Sequence, residues 1–351
     1  MIVRKQKTVR KLTVKNDGIK EPFSNCNKML AAIFWGRKPL ERTEMKGINF
    51  TKLVFKSIDK LFDLPQNPLI LERKLKHVEC ISDIVYSKRY PNMALDLYYL
   101  PKDDKSAKYP VIFEIHGGGF SAGDKKYRRC LSRYYAEYSG AIVVTPNYGV
   151  GEECPCPTPM QQLVAAVNWV AQNAKKYKMD ISKFVVTGDS AGAYYACFLA
   201  TLQDSPYLQE LFDCKLDVKV TATVLNCGVY NFNTELRAKV PLKNGVCREL
   251  TGLDIADAKK SPYFKGLTLT SHITKNFPPT LLIYSETDIF CKGQGQNLRR
   301  KLRKLQVPTE CICGKTLFDN HTYSLIWITS MARETNDKII EFLNNHFNSA
   351  Q

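Results

Sequence analysis

The chain has 351 residues, of which 44% are hydrophobic, and it carries a formal net charge of +17. A chain of this length and composition can bury a large core, and no segment has the ~18 consecutive apolar residues that a transmembrane helix requires. No nucleic-acid-binding motif accompanies the positive charge, so we interpret it as a solvated basic face rather than a nucleic-acid site.

The basic residues are concentrated near the N-terminus, where residues 1–77 hold 18 Lys and Arg against 7 Asp and Glu.

The start, Met1 to Lys15, lacks the apolar core of a secretory signal peptide. We therefore expect a cytoplasmic protein whose twelve cysteines are reduced thiols. The two C-x-C pairs have no second half at zinc-finger spacing, so we predict neither a metal site nor another cofactor.

Three segments make up the N-terminal region, which we bound at residues 1–78. Met1 to Glu21 is polar and Lys-rich and has little to bury, whereas Met29 to Trp35 is apolar. Asn49 to Asp63 has apolar residues at helical spacing and lysines on another face, which predicts an amphipathic helix. Such a helix suits an anionic bilayer, so peripheral membrane contact is one interpretation of this region.

The first motif with chemical meaning follows a strand-like run, Tyr109 to Ile115. Residues 116–119 read HGGG, and three successive glycines leave the backbone bare. Their N–H groups can therefore point at a bound oxyanion. Because α/β sheets place ligands at strand ends, we predict an anion-binding loop here rather than a merely flexible one.

The second motif is GDSAG at residues 188–192, between a strand-like run (Phe184 to Thr187) and a predicted helix (Ala191 to Leu202). G-x-S-x-G at such a turn is typical of a nucleophile elbow, in which a strained backbone exposes the serine hydroxyl. The two glycines lack Cβ atoms, so the strand and the helix can approach closely. The helix start aims N–H groups and partial positive charge at Ser190, which favours developing negative charge.

A serine nucleophile requires a base, and the chain has five histidines. In hydrolases with this elbow, the acid and then the histidine follow the serine in the chain. Four histidines break this order or lie in the last predicted helix, Glu334 to Phe347: His77, His116, His272 and His346. His321 remains, in a loop after the strand-like run Thr309 to Cys313, and is the predicted base.

The acid that orients His321 should follow another strand end. Pro279 to Tyr284 is a strand-like run, and Asp288 after it is the predicted acid, with Glu286 as the alternative. Asp319 lies too close to His321 in sequence to be the usual orienting group. A carboxylate at a strand end is also an ordinary helix N-cap, so this assignment has a purely structural competitor.

Together these motifs resemble the hormone-sensitive-lipase-like family of α/β-hydrolases, the carboxylesterases marked by HGGGF and GDSAG. The resemblance covers residues 80–351 and includes the segment Ala141 to Tyr148 and a helix over Thr158 to Tyr177. It implies an α/β fold with a mostly parallel central sheet flanked by helices and a helical cap. The catalytic domain would then span residues 79–351.

The resemblance also implies roles for individual residues. Ser190 would be the nucleophile, Asp288 the acid and His321 the base. The N–H groups of Gly117, Gly118 and Ala191 would form the oxyanion hole. N-terminal helices form a lid in this family, so the predicted helix over 49–63 is a lid candidate beside the membrane interpretation. A second cap piece is expected in the insertion at residues 203–275.

Three positions depart from the family pattern. Lys292 stands where a second Asp commonly follows the acid, and Asn147-Tyr148-Gly149 replaces the frequent Asp-Tyr-Arg. Ala193-Tyr194-Tyr195 follows the elbow instead of the commoner Gly-Asn-Leu. These changes concern the buried charges around the site and the shape of the acyl pocket, so they leave the substrate open.

From these features we predict a serine hydrolase that cleaves carboxylic esters of short to medium acyl chains through an acyl-enzyme. Its partner would be a small-molecule ester, without nucleic acid. Two alternatives remain open: an amidase or deacetylase that uses the same triad, and a non-catalytic small-molecule receptor on the same fold. The oligomeric state is not predicted.

Overall fold

The computed structural model describes residues 49–66, 74–104 and 106–349. The predictions for Met1 to Glu21 and Met29 to Trp35 lie outside these residues. Within the described residues, none of the helices combines the length and the apolarity needed to cross a bilayer.

An eight-stranded sheet of order β1-β2-β4-β3-β5-β6-β7-β8 forms the centre of the described chain. β1 and β2 are antiparallel to each other, β2 is antiparallel to β4, and the remaining neighbours are parallel. The strands are β1 (Glu79–Val85), β2 (Ala94–Tyr99), β3 (Tyr109–Ile115), β4 (Ile142–Pro146), β5 (Met179–Asp189), β6 (Ala222–Asn226), β7 (Thr280–Ser285) and β8 (Thr309–Gly314). The prediction of a mostly parallel sheet is confirmed.

Continuous apolar runs explain why the inner strands form. The side chains of β4, β6 and β7 are buried throughout, as is typical of parallel strands covered by helices on both faces. β1 differs, because most of its side chains are exposed and it lies at the sheet edge. The sequence patterns indicate no strand before Tyr109, and for β1 this exposed pattern is the reason.

Helices cover both faces of the sheet. They are α1 (Phe50–Gln66), α2 (Arg129–Ser139), α3 (Thr158–Asn173), α4 (Ala191–Leu202), α5 (Pro206–Phe212), α6 (Phe232–Arg237), α7 (Lys243–Thr251), α8 (Gln294–Lys304) and α9 (Ser330–Ser349). The elbow helix has the predicted bounds, whereas α3 ends four residues before the predicted Tyr177. The range 203–275 holds the sheet strand β6, with helix α5 before it and helices α6 and α7 after it.

Helix α1 packs through one face on the domain that contains the sheet. Val54 and Phe55 are buried there, while Lys56 and Lys60 are exposed on another side. The Asn49 side chain just before the helix donates a hydrogen bond to Glu249 in α7, with an N···O distance of 2.7 Å. The amphipathic pattern therefore buries part of its apolar face against the domain that follows, whereas Phe50 and Leu53 stay exposed.

The parallel strands all end at one edge of the sheet, and the motifs follow those ends. HGGG follows β3, Ser190 follows β5, Asp288 comes after β7, and His321 comes after β8. This edge is where open α/β sheets bind ligands. Four segments that are far apart in sequence therefore contribute to one site.

Candidate active site

Ser190 occupies a sharp turn between β5 and α4. Its backbone has φ 52° and ψ −116°, a conformation that L-residues rarely adopt. The Ser190 N–H donates to the carbonyl oxygen of Asn226 at the end of β6, at 2.8 Å. A Cβ on Gly192 would lie 2.0 Å from the Ile115 carbonyl oxygen, so only glycine permits this approach. The predicted steric reason for the elbow therefore matches the observed geometry.

The structure brings Ser190, His321 and Asp288 into one hydrogen-bonded chain. His321 Nε2 lies 2.9 Å from Ser190 Oγ, and His321 Nδ1 lies 3.0 Å from each carboxylate oxygen of Asp288. The alternative acid, Glu286, is exposed and directs its carboxylate towards the Cys313 thiol. The geometry therefore favours Asp288 over Glu286.

The surroundings keep Asp288 ionised and His321 basic. Burial opposes ionisation of Asp288, but the His321 charge, its hydrogen bond and the N–H groups of Phe290 and Cys291 lower the pKa of this carboxyl. Burial also opposes charge on His321, yet the Asp288 carboxylate outweighs it and raises the pKa of His321 above its usual value. The imidazole is thus prepared to accept a proton.

Asn320 joins the loop that carries Asp288 to the loop that carries His321. Its side-chain oxygen accepts hydrogen bonds from the N–H groups of Ile289 (3.2 Å) and His321 (2.7 Å). Its amide donates to the Thr287 carbonyl oxygen at 2.8 Å. These contacts fix the spacing between acid and base, and the sequence analysis did not single out this residue.

The backbone of the HGGG loop bears on the predicted oxyanion donors Gly117 and Gly118. The Gly117 N–H donates to Asp189 Oδ1 at 3.3 Å, so this donor is already engaged by a buried carboxylate. Gly118 and Gly119 have φ angles of +128° and +60°. Among the described residues, no acceptor lies within hydrogen-bonding distance of either N–H group. The loop therefore offers Gly118 and Gly119 as donors, and Gly117 as a support.

His116 supports this loop from below. Its ring stacks on Tyr148 with centroids 4.3 Å apart, and the Tyr148 hydroxyl donates to the His116 carbonyl oxygen at 2.7 Å. Burial lowers the pKa of His116 to about 4, so the ring stays neutral at physiological pH. Tyr148 comes from the segment that departs from the family's Asp-Tyr-Arg pattern.

The family model described as BD-FAE matches residues 95–302, which is more than half of the chain. The chain belongs to the BD-FAE family. The matched residues include both motifs and Asp288 but end before His321. The resemblance to hormone-sensitive-lipase-like α/β-hydrolases, drawn from the two motifs, is confirmed.

Two relatives of this BD-FAE protein come from Mycobacterium tuberculosis. Esterase LipI is 30% identical over 141 residues, which are 40% of this chain and 42% of LipI. Probable carboxylic ester hydrolase LipM is 27% identical over 261 residues, which are 74% of this chain and 60% of LipM. The matches thus span less than two thirds of either relative.

Solved structures show the same fold at low sequence identity. Esterase B from Lactobacillus rhamnosis has a TM-score of 0.72 and 22% identity, covering 84% of this chain and 93% of that one. An esterase from Pyrobaculum calidifontis has a TM-score of 0.65 and 23% identity, covering 83% and 93%. The α/β-hydrolase fold predicted from the sequence is confirmed.

In this BD-FAE protein, helix α1 reaches the site. A Cβ on Gly119 would lie 2.2 Å from the Phe55 ring, so this side chain sits directly on the HGGG loop. The Phe55 and Phe290 ring centroids are 5.7 Å apart, and Phe290 meets the His321 ring edge-on at 5.1 Å. Two phenylalanines therefore border the space beside the serine.

A buried thiol completes the surroundings of the acid. Cys227, which follows β6, places its Sγ within 4.8 Å of the nearest ligand atoms of Asp288 and His321. These three groups could in principle hold a metal ion. Asp288 and His321 already contact each other at 3.0 Å, and the thiol packs against the carboxylate.

Proposed function

We propose that this protein hydrolyses carboxylic esters, with Ser190 as nucleophile, His321 as general base and Asp288 as the group that orients the base. The single observation that carries the proposal is the continuous chain of contacts, 2.9 Å from serine to imidazole and 3.0 Å from imidazole to carboxylate. The printed names of LipI and LipM, an esterase and a probable carboxylic ester hydrolase, support the same reaction class.

In the first step, His321 Nε2 takes the hydroxyl proton while Ser190 Oγ bonds to the ester carbonyl carbon. The carbonyl oxygen becomes an oxyanion. The tetrahedral intermediate then collapses, its bond to the alcohol oxygen breaks, and His321 returns the proton to the leaving alcohol. Asp288 keeps Nδ1 protonated and stabilises the transient imidazolium.

The oxyanion is received by backbone donors on two elements. We assign this role to Gly118, Gly119 and Ala191, the last at the start of α4, where free N–H groups and partial positive charge point at the site. Gly117 is left out of the set, because its N–H is already bound to Asp189. In the second step, water activated by His321 hydrolyses the acyl-enzyme and restores Ser190.

We further propose that the acyl chains are short to medium in length. Phe55 and Phe290 border the serine side, and Tyr194 and Tyr195 are fully buried against Phe120 behind it. Bulky rings on both sides leave little room for a long chain.

The eleven described cysteines are all free thiols, which supports a reducing, cytoplasmic compartment.

Hydrolysis of a series of p-nitrophenyl esters from acetate to palmitate tests both proposals. In the wild type we expect turnover to be highest with short acyl chains. In Ser190→Ala turnover should fall below a few per cent of the wild-type value, with unchanged circular dichroism as the control for folding. A fluorophosphonate should label the wild type once per chain and leave the variant unlabelled. Turnover that survives Ser190→Ala would rule out this nucleophile.

The same assay separates the other two functions. A receptor on this fold would bind esters without turnover, which the intact contact chain argues against. An amidase or deacetylase would hydrolyse p-nitroanilides at rates comparable with the matching esters. We expect anilide hydrolysis to be far slower, because the aniline nitrogen must be protonated before it leaves, whereas p-nitrophenolate leaves without a proton.

A further inference from the structure

The carboxylate of Asp189 connects the two halves of the site. It belongs to the residue just before Ser190 and is buried beneath the elbow. Its Oδ1 accepts the Gly117 N–H at 3.3 Å and the Arg128 Nε–H at 2.7 Å, and its Oδ2 accepts Arg128 Nη2–H at 2.7 Å. One side chain thus contacts the HGGG loop, the elbow and a buried guanidinium.

Arg128 is the cation of this arrangement. It lies at the end of a 3-10 helix (Lys125–Arg128) and only 2% of its surface is exposed. The two parallel N–H···O contacts form the fork geometry that only a guanidinium provides. A buried carboxylate without a partner would take up a proton or turn towards water. Arg128 therefore determines the orientation of Asp189.

Two further carboxyl groups face Arg128, but they contact it less closely. Glu114 in β3 has an oxygen 3.8 Å from Arg128 Nε, and Asp59 of α1 is buried over the same guanidinium. Burial raises the pKa of Glu114 to about 8, so its carboxyl is mostly protonated at neutral pH. The close ionic partner of Arg128 is accordingly Asp189.

We propose that Arg128 is a positioning residue for the oxyanion hole, because it holds Asp189 in the one orientation that anchors the HGGG loop to the nucleophile elbow. The inference rests on the proposed esterase function. Gly118 and Gly119 follow Gly117 directly, so movement of Gly117 moves their N–H groups relative to Ser190. Arg128 itself touches neither the substrate nor the reacting atoms.

This role predicts a specific kinetic signature. Oxyanion donors act mainly in the transition state, so their misplacement lowers kcat with little change in KM. Displacement of such groups by ~1 Å typically costs about 10²-fold in rate. We therefore expect Arg128→Gln to lower kcat about 100-fold, while Arg128→Lys, which keeps the charge but loses the fork, lowers it about 10-fold.

The experiment measures kcat and KM for p-nitrophenyl butyrate, with kcat expressed per site titrated by a fluorophosphonate. This correction removes any loss that comes only from misfolded molecules. Arg299→Gln is the matched control, since Arg299 lies exposed on α8, and it should keep wild-type constants. A reversible boronic acid should bind Arg128→Gln more weakly by the same factor that kcat/KM falls.

A double variant keeps the test decisive if Arg128→Gln folds poorly. Arg128→Met with Asp189→Asn removes both charges, and neutral replacement of a buried ion pair usually preserves folding. We expect this variant to unfold near the wild-type temperature yet to remain about 10-fold or more reduced in kcat per site. A kcat per site within twofold of the wild type, in either variant, would overturn the inference. An inactive wild type would instead refute the esterase proposal itself.

Discussion

Helix α1 carries a buried carboxyl group whose ionisation should weaken the docking of this helix. Asp59 in α1 is 4% exposed, and its Oδ2 has no hydrogen-bond partner among the described residues. Burial raises its pKa from 3.8 to about 7, although the positive charge of Arg128 works in the opposite direction. The charged groups that face it are Arg128, Asp189, Asp124 and Asp63.

The sign and size of the effect follow from this shift. Because the pKa of Asp59 is raised in the docked state, its docking is most stable below pH 3.8 and weakens as the pH rises towards about 7. The rise in pKa from 3.8 to about 7 corresponds to a loss of about 4 kcal/mol in the free energy of docking. The full loss is reached above pH 7. Between pH 5 and 7 the opening equilibrium of α1 should therefore increase by up to about 10-fold per unit.

Hydrogen exchange of peptides from α1, corrected for intrinsic amide rates, measures this opening. In Asp59→Asn the corrected exchange should be independent of pH, and at pH 8 it should be slower than in the wild type. Asp63→Asn on the same helix is the control. Asp63 pairs with Arg129 at 2.9 Å near the surface, so its loss should speed opening slightly and leave the pH slope intact. A wild-type slope of zero, or the same slope in Asp59→Asn, would refute this reasoning.

The other predictions concern the catalytic chain and the pocket. His321→Ala should reduce ester turnover nearly as much as loss of the serine, because triad residues act as a unit. Wild-type kcat/KM should rise with pH through the pKa of His321, which lies above its usual value. Asp288→Asn should be severe, whereas Glu286→Gln should stay within about twofold; the reverse order in steady-state assays would move the acid to Glu286. Asn320→Ala should lower kcat about 10-fold by loosening both loops, as a shift of ~1 Å can cost more. Phe55→Ala should shift the preferred ester towards longer acyl chains, and an unchanged chain-length profile would show that this ring does not border the acyl pocket.

The central part of the site could be predicted because short sequence segments determine its local geometry. The elbow needs glycine on both sides of Ser190 for steric reasons, and a strand before it and a helix after it are visible as apolar runs. His321 followed from the chain order of the few histidines. The choice between Asp288 and Glu286 needed the structure, because contacts of Asn320 with Thr287 and Ile289 decide which carboxylate faces the imidazole.

The oxyanion loop shows where local patterns reach their limit. Three adjacent glycines offer equivalent N–H groups in the sequence, so nothing distinguishes Gly117 from Gly119. The distinction comes from Asp189, which is 72 residues away from Gly117, and from Arg128, which is 61 residues away from Asp189. Arg128 stands in a run of basic residues in which Lys125 is also buried but Lys126 is exposed, so composition does not show which of them lies inside.

Helix α1 illustrates the same limit of sequence patterns. Helical spacing predicted α1 and an apolar face, yet the pattern does not reveal that Asp59 points inward with that face. A buried carboxyl beside the Arg128–Asp189 pair should weaken docking of α1 at neutral pH. The same guanidinium that fixes the oxyanion loop through Asp189 also attracts Asp59 from above. Opening of α1 and the geometry of the HGGG loop therefore both depend on Arg128. We expect a change in one of them to alter the other.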